Sequence, residues 1–159
     1  MAEEYRLYKQ MQILRIAASF GAPLEDKKQI YISYVRSVLE QSCQIWNSRL
    51  TEENSIDLEI VQKSAVRIIL NKPYENYYEA LDLLGLESLK DRREHLCLKF
   101  AKKCLVNEKT ENIFPLTKKQ HNMETRKEEK FKVNFAKTER YRKSSIPYMQ
   151  RLMNQFAKK

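Results

Sequence analysis

Positively charged and aromatic side chains alternate in the C-terminal third of the sequence. Phe131 lies between two lysines, and a run of cations around Tyr141 follows a few residues later. Lysine and arginine neutralise phosphates, and aromatic rings stack on unpaired bases. This pattern predicts nucleic-acid binding by Lys130, Lys132, Arg140, Tyr141, Arg142 and Lys143. The alternative is that the rings dock this segment onto the rest of the protein while the cations stay in water.

A second set of cations lies in a predicted helix further upstream. Arg92 and Arg93 fall in its first turn, where positive charge opposes the helix dipole. Either an acidic neighbour such as Glu87 or Asp91, or an external phosphate, must compensate. Two lysines continue the stripe of Arg92 at helical spacing. The candidate phosphate-binding residues of this helix are Arg92, Arg93, Lys99 and Lys103.

Residues that could catalyse a reaction or bind a metal are not grouped in the sequence. Neither His95 nor His121 has a second His or Cys at a metal-ligand spacing. No two aspartates are adjacent or two apart, unlike the clustered carboxylates of two-metal phosphoryl-transfer sites. Cys97 and Cys104 share a helix face with Phe100 and are expected in the core. We therefore predict that the chain is not an enzyme on its own and holds no metal or cofactor.

Charge is unevenly distributed over the 159 residues. Residues 1–109 contain 17 Lys and Arg against 16 Asp and Glu, whereas residues 110–159 contain 13 against 5. Nearly all of the net charge of +9 therefore lies in the last third. This asymmetry predicts an anionic partner for residues 110–159, or else a soluble tail that folds poorly. The expected organisation is a helical domain over 1–109 followed by a basic tail over 110–159.

Composition limits the classes of protein further. The chain has two glycines, which disfavours β-rich folds with tight turns and excludes a glycine-rich phosphate loop. Three cysteines without paired spacing indicate a reducing compartment. The N-terminus is acidic, and no apolar run approaches the roughly 20 residues that span a bilayer. We expect an intracellular protein, cytoplasmic or nuclear, with no membrane partner.

The spacing of apolar residues predicts an all-α bundle of about five helices. Gly85 is expected to end the fourth helix, and Ser88 with Asp91 to cap the fifth. Asp26 is the expected N-cap of the second helix, and Trp46 near its end is expected to fill the core. The five helices are expected at about residues 3–18, 26–48, 55–71, 75–84 and 88–106.

The basic tail has a weaker pattern. Phe131, Val133 and Phe135 alternate with polar residues, which predicts a lone strand or an extended segment. Residues 146–156 predict a short final helix, with Ser144 or Ser145 as its cap. The tail is therefore expected to be partly extended.

Four stretches occur in an order that resembles one protein family. They are residues 34–40 followed by Trp46, residues 58–69, residues 78–93 and residues 140–154. In order and spacing they resemble the C-terminal region of non-LTR retrotransposon reverse transcriptases, downstream of the fingers and palm. The resemblance extends from about Leu7 to Asn154.

The resemblance implies a thumb-like helical bundle that grips the backbone of a template–primer duplex. The palm's Tyr/Phe-x-Asp-Asp signature, the endonuclease and a zinc knuckle are absent from this sequence, so the resemblance implies a module without polymerase activity. The implied partners are RNA, DNA or an RNA–DNA hybrid, and the palm and fingers of a reverse transcriptase. The alternative is a domesticated helical scaffold that binds proteins and no longer binds nucleic acid.

Overall fold

The computed structural model describes residues 2–115, 131–133 and 135–157. All regular secondary structure in these residues is helical, which confirms the predicted all-α class. A π-helical turn, Tyr31–Arg36, joins the second and third helices without a break. The helices are α1 (Ala2–Ser19), α2 (Leu24–Ile30), α3 (Ser37–Glu40), α4 (Cys43–Trp46), α5 (Glu52–Leu70), α6 (Tyr77–Leu84), α7 (Leu89–Val106), α8 (Glu139–Arg142) and α9 (Ser145–Phe156).

Local hydrogen bonds explain where α6 and α7 begin and end. The Asn76 side chain caps α6 by accepting the Tyr78 N–H at 3.0 Å. Gly85 ends α6 with φ +59°, a left-handed conformation that glycine adopts without strain. Ser88 Oγ accepts the Asp91 N–H at 3.1 Å and donates to its carboxylate at 2.7 Å. The predicted stop at Gly85 and the predicted cap of α7 are confirmed.

The residue range predicted for the second helix is wrong. Residues 26–48 do not form one helix, because the helical run begins at Leu24 and ends at Glu40. Ser42 then adopts φ +54°, and a left-handed residue cannot continue a right-handed helix. The chain turns there and starts the short helix α4. Asp26 consequently lies inside α2 and not at its N-cap.

The chain divides into two compact units. Unit 1 comprises residues 1–41 and 51–92, and unit 2 comprises residues 42–50 and 93–159. This division does not coincide with the expected boundary near residue 109. The first turn of α7 belongs to unit 1 and the remainder to unit 2.

Unit 1 has its own apolar core with a buried polar link. The side-chain amide of Gln62 is fully buried: its Oε1 accepts the Tyr31 hydroxyl at 2.6 Å, and its Nε2 donates to the Glu87 carbonyl at 2.9 Å. The oxygen and the nitrogen of the Gln62 amide therefore both have partners, and the turn before α7 is hydrogen-bonded to α5. The core includes Met11, Leu14, Tyr31, Val35, Leu39, Ala65, Val66, Ile69, Leu81, Leu84 and Leu89.

Unit 2 has a separate core built from α7, α9 and, between them, Phe114 and Phe131. Cys97 and Cys104 are buried in it as predicted, but Phe100 is 45 % exposed. The prediction for Phe100 is wrong because Leu98 and Ala101 complete the buried face of α7 and leave residue 100 at its edge. The core includes Cys97, Leu98, Ala101, Cys104, Phe114, Phe131, Met149, Leu152 and Met153.

Candidate nucleic-acid interface

Consecutive residues in and after α8 form the clearest cationic surface in unit 2. The side chains of residues 140–143 are all exposed. Thr138 caps α8 by accepting the Tyr141 N–H at 3.2 Å. The Arg151 guanidinium of α9 donates to the Arg142 carbonyl at 2.9 Å, which places a further cation beside them. We name this group the α8 cluster, and it consists of Arg140, Tyr141, Arg142 and Lys143.

Glu139 is the acidic residue next to these cations. Its carboxylate lies 2.8 Å from Arg142 Nε and 3.5 Å from Lys143 Nζ. The hydrogen bond from Arg142 lowers the pKa of Glu139, and the same bond raises the pKa of Arg142. Because these groups are exposed, the ion pairs contribute little stability. A phosphate group can therefore compete with Glu139 for Arg142 and Lys143.

The outer face of α7 carries a second group of cations. Lys99 and Lys103 are exposed there, as the helical spacing predicts. Lys102, which was not among the predicted residues, is exposed beside them. Its three-residue distance from Lys99 was the available signal, since residues three apart lie on neighbouring positions of a helix surface. We name Lys99, Lys102 and Lys103 the α7 cations.

Arg92 is engaged inside unit 1. Its Nε donates to Glu40 Oε1 at 3.0 Å, and the same oxygen lies 3.6 Å from Arg36 Nε. An acidic residue thus compensates the charge of Arg92, and it is Glu40, which is distant in the sequence. Since its guanidinium already binds a half-buried carboxylate, Arg92 is less available to an external phosphate than the sequence predicts.

The prediction for Arg93 is wrong, because the side chain is 1 % exposed and cannot reach a phosphate. Its Nε donates to Asn47 Oδ1 at 3.0 Å, and its guanidinium carbon lies 6.0 Å from the centre of the Trp46 ring. Asn47 Nδ2 in turn donates to the Tyr148 hydroxyl at 3.0 Å. Burial raises the pKa of Tyr148 to about 12. Arg93 is part of the interior of unit 2, and Trp46 is half-buried beside it.

The segment around Phe131 bears on the two interpretations of the basic tail, in which its rings either stack on bases or pack against the protein. The Phe131 ring is 6 % exposed, and its N–H and C=O both pair with the Asn154 side-chain amide at 2.9 Å. This aromatic side chain is therefore part of the core of unit 2, whereas Tyr141 is 39 % exposed. Lys132 is exposed as predicted. Lys130 lies outside the described residues.

Charge separates the two units more sharply than it separates the two predicted regions. Unit 1 contains 11 Lys and Arg against 14 Asp and Glu, a net charge of −3. Unit 2 contains 19 against 7, a net charge of +12. A boundary at residue 109 assigned the α7 cations to a neutral body, whereas the fold groups them with the α8 cluster in one basic unit.

No protein-family model, curated protein or solved structure matches this chain. Among the described residues, no helix combines the length and the apolar character needed to cross a membrane. In the same residues, no three His, Cys, Asp or Glu side chains are grouped so that they could hold a metal ion. The resemblance to reverse transcriptases remains a prediction from the sequence.

Proposed function

We propose that this protein is a nucleic-acid-binding helical module that contacts the phosphate backbone through unit 2 and has no catalytic site of its own. The observation that carries the proposal is the net charge of +12 on unit 2, with exposed cations on both α7 and α8. Charge of this density attracts polyanions and raises their local concentration.

Binding is driven mainly by release of counterions from the nucleic acid. The α8 cluster and the α7 cations contact phosphates, and the exposed ring of Tyr141 is placed among the cations of α8. Such contacts follow the backbone and its shape and read little sequence. The ligand is RNA, DNA or an RNA–DNA hybrid, in the cytoplasm or the nucleus.

The thumb-like part of the proposal is supported by the four ordered sequence stretches and by the all-helical fold. In this role the module grips a template–primer duplex next to the palm and fingers of a reverse transcriptase. Polymerase chemistry then belongs to that partner. The purified chain is expected to incorporate no deoxynucleotides.

The test is a salt titration of binding to labelled RNA, DNA and hybrid duplexes by fluorescence anisotropy. The logarithm of the binding constant should fall linearly with the logarithm of salt concentration. The double variant Arg140→Ala/Lys143→Ala should bind about tenfold more weakly at low salt and reduce the slope by about two. The matched control is Arg15→Ala/Lys90→Ala, which removes one exposed Arg and one exposed Lys from unit 1.

The control should bind like the wild type. A slope near zero for the wild type, or equal losses in the two double variants, would contradict backbone binding through unit 2.

A second candidate function, a helical scaffold that binds proteins, is favoured by one face of α1. Ile13 and Ile16 are 44 % and 55 % exposed and share one side of the helix, opposite the buried Met11 and Leu14. Phe20, the residue directly after α1, is 85 % exposed and its N–H donates to the Ile16 carbonyl at 3.1 Å. Sedimentation velocity of the wild type and of Phe20→Ser tests it first as self-association. A monomeric wild type that binds duplexes with a steep salt dependence would favour the nucleic-acid function.

A further inference from the structure

Three tyrosine rings form a cluster at the start of α6 in unit 1. The ring centres of Tyr74 and Tyr77 are 6.1 Å apart, and those of Tyr77 and Tyr78 are 5.6 Å apart. The planes are tilted by 35° and 54°, within the range of favourable aromatic pairs. We name Tyr74, Tyr77 and Tyr78 the tyrosine cluster.

Two of these rings are fixed, and the third is open to solvent. The Tyr74 hydroxyl donates to the Lys63 carbonyl at 3.2 Å, and the Tyr77 hydroxyl donates to the Glu59 carboxylate. Tyr78, by contrast, is 68 % exposed. The anchored neighbours give the Tyr78 ring a rigid support, so little side-chain freedom is lost when a planar ligand stacks on it.

Cations line the same cluster. Lys63 Nζ lies 5.2 Å from the centre of the Tyr77 ring, and Arg67 Cζ lies 5.6 Å from the centre of the Tyr74 ring. Lys72, just before the cluster in sequence, is exposed. Proteins that bind single-stranded nucleic acids combine exposed aromatic rings, on which bases stack, with nearby cations that contact the phosphates. The exposed Tyr78 ring and the cations beside Tyr74 and Tyr77 form such a combination.

Acidic residues nearby limit the electrostatic attraction at this position. Glu75 and Glu79 are exposed on the same turn, and Glu79 accepts a hydrogen bond from Asn76 at 3.0 Å. The local charge is therefore close to balanced, so stacking supplies most of the affinity. This separates the tyrosine cluster in kind from the α8 cluster, in which cations predominate.

We propose that Tyr78, supported by Tyr77 and Tyr74, is a stacking site for an unpaired base of single-stranded RNA or DNA. The inference rests on the proposed function in that nucleic acid is the partner, but it assigns unit 1 a contact of its own. A base in a duplex is already stacked between its neighbours and cannot use the site. The site thus selects strands with unpaired bases.

The test uses a single strand of about ten nucleotides that contains 2-aminopurine, whose fluorescence is quenched by stacking. Tyr78→Ala should weaken binding by about 5- to 100-fold and abolish the quenching, whereas Tyr78→Phe keeps the ring and should preserve both. Tyr78→Leu keeps an apolar side chain without a ring, so it should behave like Tyr78→Ala. Leu83→Ala is the matched control, since Leu83 is 67 % exposed on the same helix.

The salt dependence should not change in Tyr78→Ala, because no cation is removed. Binding to a duplex should also stay at the wild-type level. If all four variants bind the single strand equally, or if Tyr78→Phe loses binding as fully as Tyr78→Ala, the stacking site is refuted while duplex binding through unit 2 stands. If the wild type binds neither single strands nor duplexes, the proposed function falls and the stacking site falls with it.

Discussion

Unit 1 and unit 2 are stabilised by the same means and carry opposite net charge. Each has an apolar core with buried side-chain amides, Gln62 in unit 1 and Gln150 and Asn154 in unit 2. Unit 1 has a net charge of −3, and unit 2 has a net charge of +12. The apolar residues of the cores therefore do not explain the difference, which comes from the number of charged residues in each unit. The comparison teaches that two units with apolar cores of the same kind can carry net charges of opposite sign.

The side-chain amides of Gln62 and Asn154 bind different kinds of polar group. Gln62 satisfies a tyrosine hydroxyl and the backbone of the turn before α7. Asn154 satisfies both backbone groups of Phe131, which lies far from α9 in sequence. A buried backbone group without a partner costs free energy, so each amide compensates groups that water no longer reaches.

The largest effect is expected from cavities in the two cores. Leu84→Ala in unit 1 and Leu152→Ala in unit 2 should each lower the free energy of unfolding by about 2–5 kcal/mol. Both leucines are buried. Chemical denaturation measures the loss, and hydrogen exchange should locate it in the unit that carries the substitution. The neighbouring exposed Leu83→Ala should change stability by less than about 0.5 kcal/mol. Faster exchange over both units in both core variants would argue against separate cores.

Removing the buried amides should have the next largest effect. Gln62→Leu leaves the Tyr31 hydroxyl and the Glu87 carbonyl without this partner, and Asn154→Leu does the same to the two backbone groups of Phe131. Each variant should lose about 1–3 kcal/mol of its free energy of unfolding. Urea denaturation provides the measurement. A loss below about 0.5 kcal/mol in either variant would show that its amide is not needed.

Alkaline pH should act on unit 2 through Tyr148. Burial raises its pKa from 10.0 to about 12, so the folded state favours the protonated hydroxyl. The resulting stability is fully present below pH 10 and is lost as pH rises from 10 to about 12. Tyr148→Phe cannot ionise at this position. The free energy of unfolding of the wild type, relative to that of the variant, should therefore fall by about 1 kcal/mol across this window after allowance for solvent screening. Thermal melts of both proteins test this, and a constant difference would contradict it.

The smallest effect is expected from Glu139→Gln. The substitution frees Arg142 and Lys143 from an exposed ion pair and leaves unit 2 with one more net positive charge. Nucleic-acid affinity should rise about two- to fivefold, in keeping with the small free energy of exposed ion pairs. Anisotropy at low salt measures the change. As a matched control, Glu79→Gln alters an exposed glutamate of unit 1 and should leave duplex affinity unchanged. A decrease in affinity with Glu139→Gln would indicate that Glu139 positions Arg142.

Local sequence signals predicted most of the helices. The fourth and fifth expected helices correspond to α6 and α7, because Gly85 and the Ser88–Asp91 pair act within a few residues of themselves. The break at Ser42 was missed, since a serine in the left-handed conformation has no local signature as strong as that of glycine. The tyrosine cluster was missed because its cations come from the preceding helix α5, and only the fold brings Lys63 and Arg67 next to the rings.

The candidate site was predicted in part for the same reason. Arg140, Arg142 and Lys143 follow one another in the sequence, and their exposure agrees with the prediction. Arg93 has the same residue type in an equally basic context, but it is buried. Its hydrogen-bond acceptor Asn47 lies 46 residues away, so no window of local sequence could indicate that burial.

The sequence by itself determined the all-α class, most helix ends and the excess of cations, because helical spacing, caps and charge are properties of neighbouring residues. Only the tertiary structure decided which cations are available, and which unit holds them. Burial and ion pairing depend on residues that are distant in the chain, as Glu40 shows for Arg92 and Asn47 for Arg93. The net charge of +9 is consequently a property of two units of opposite sign.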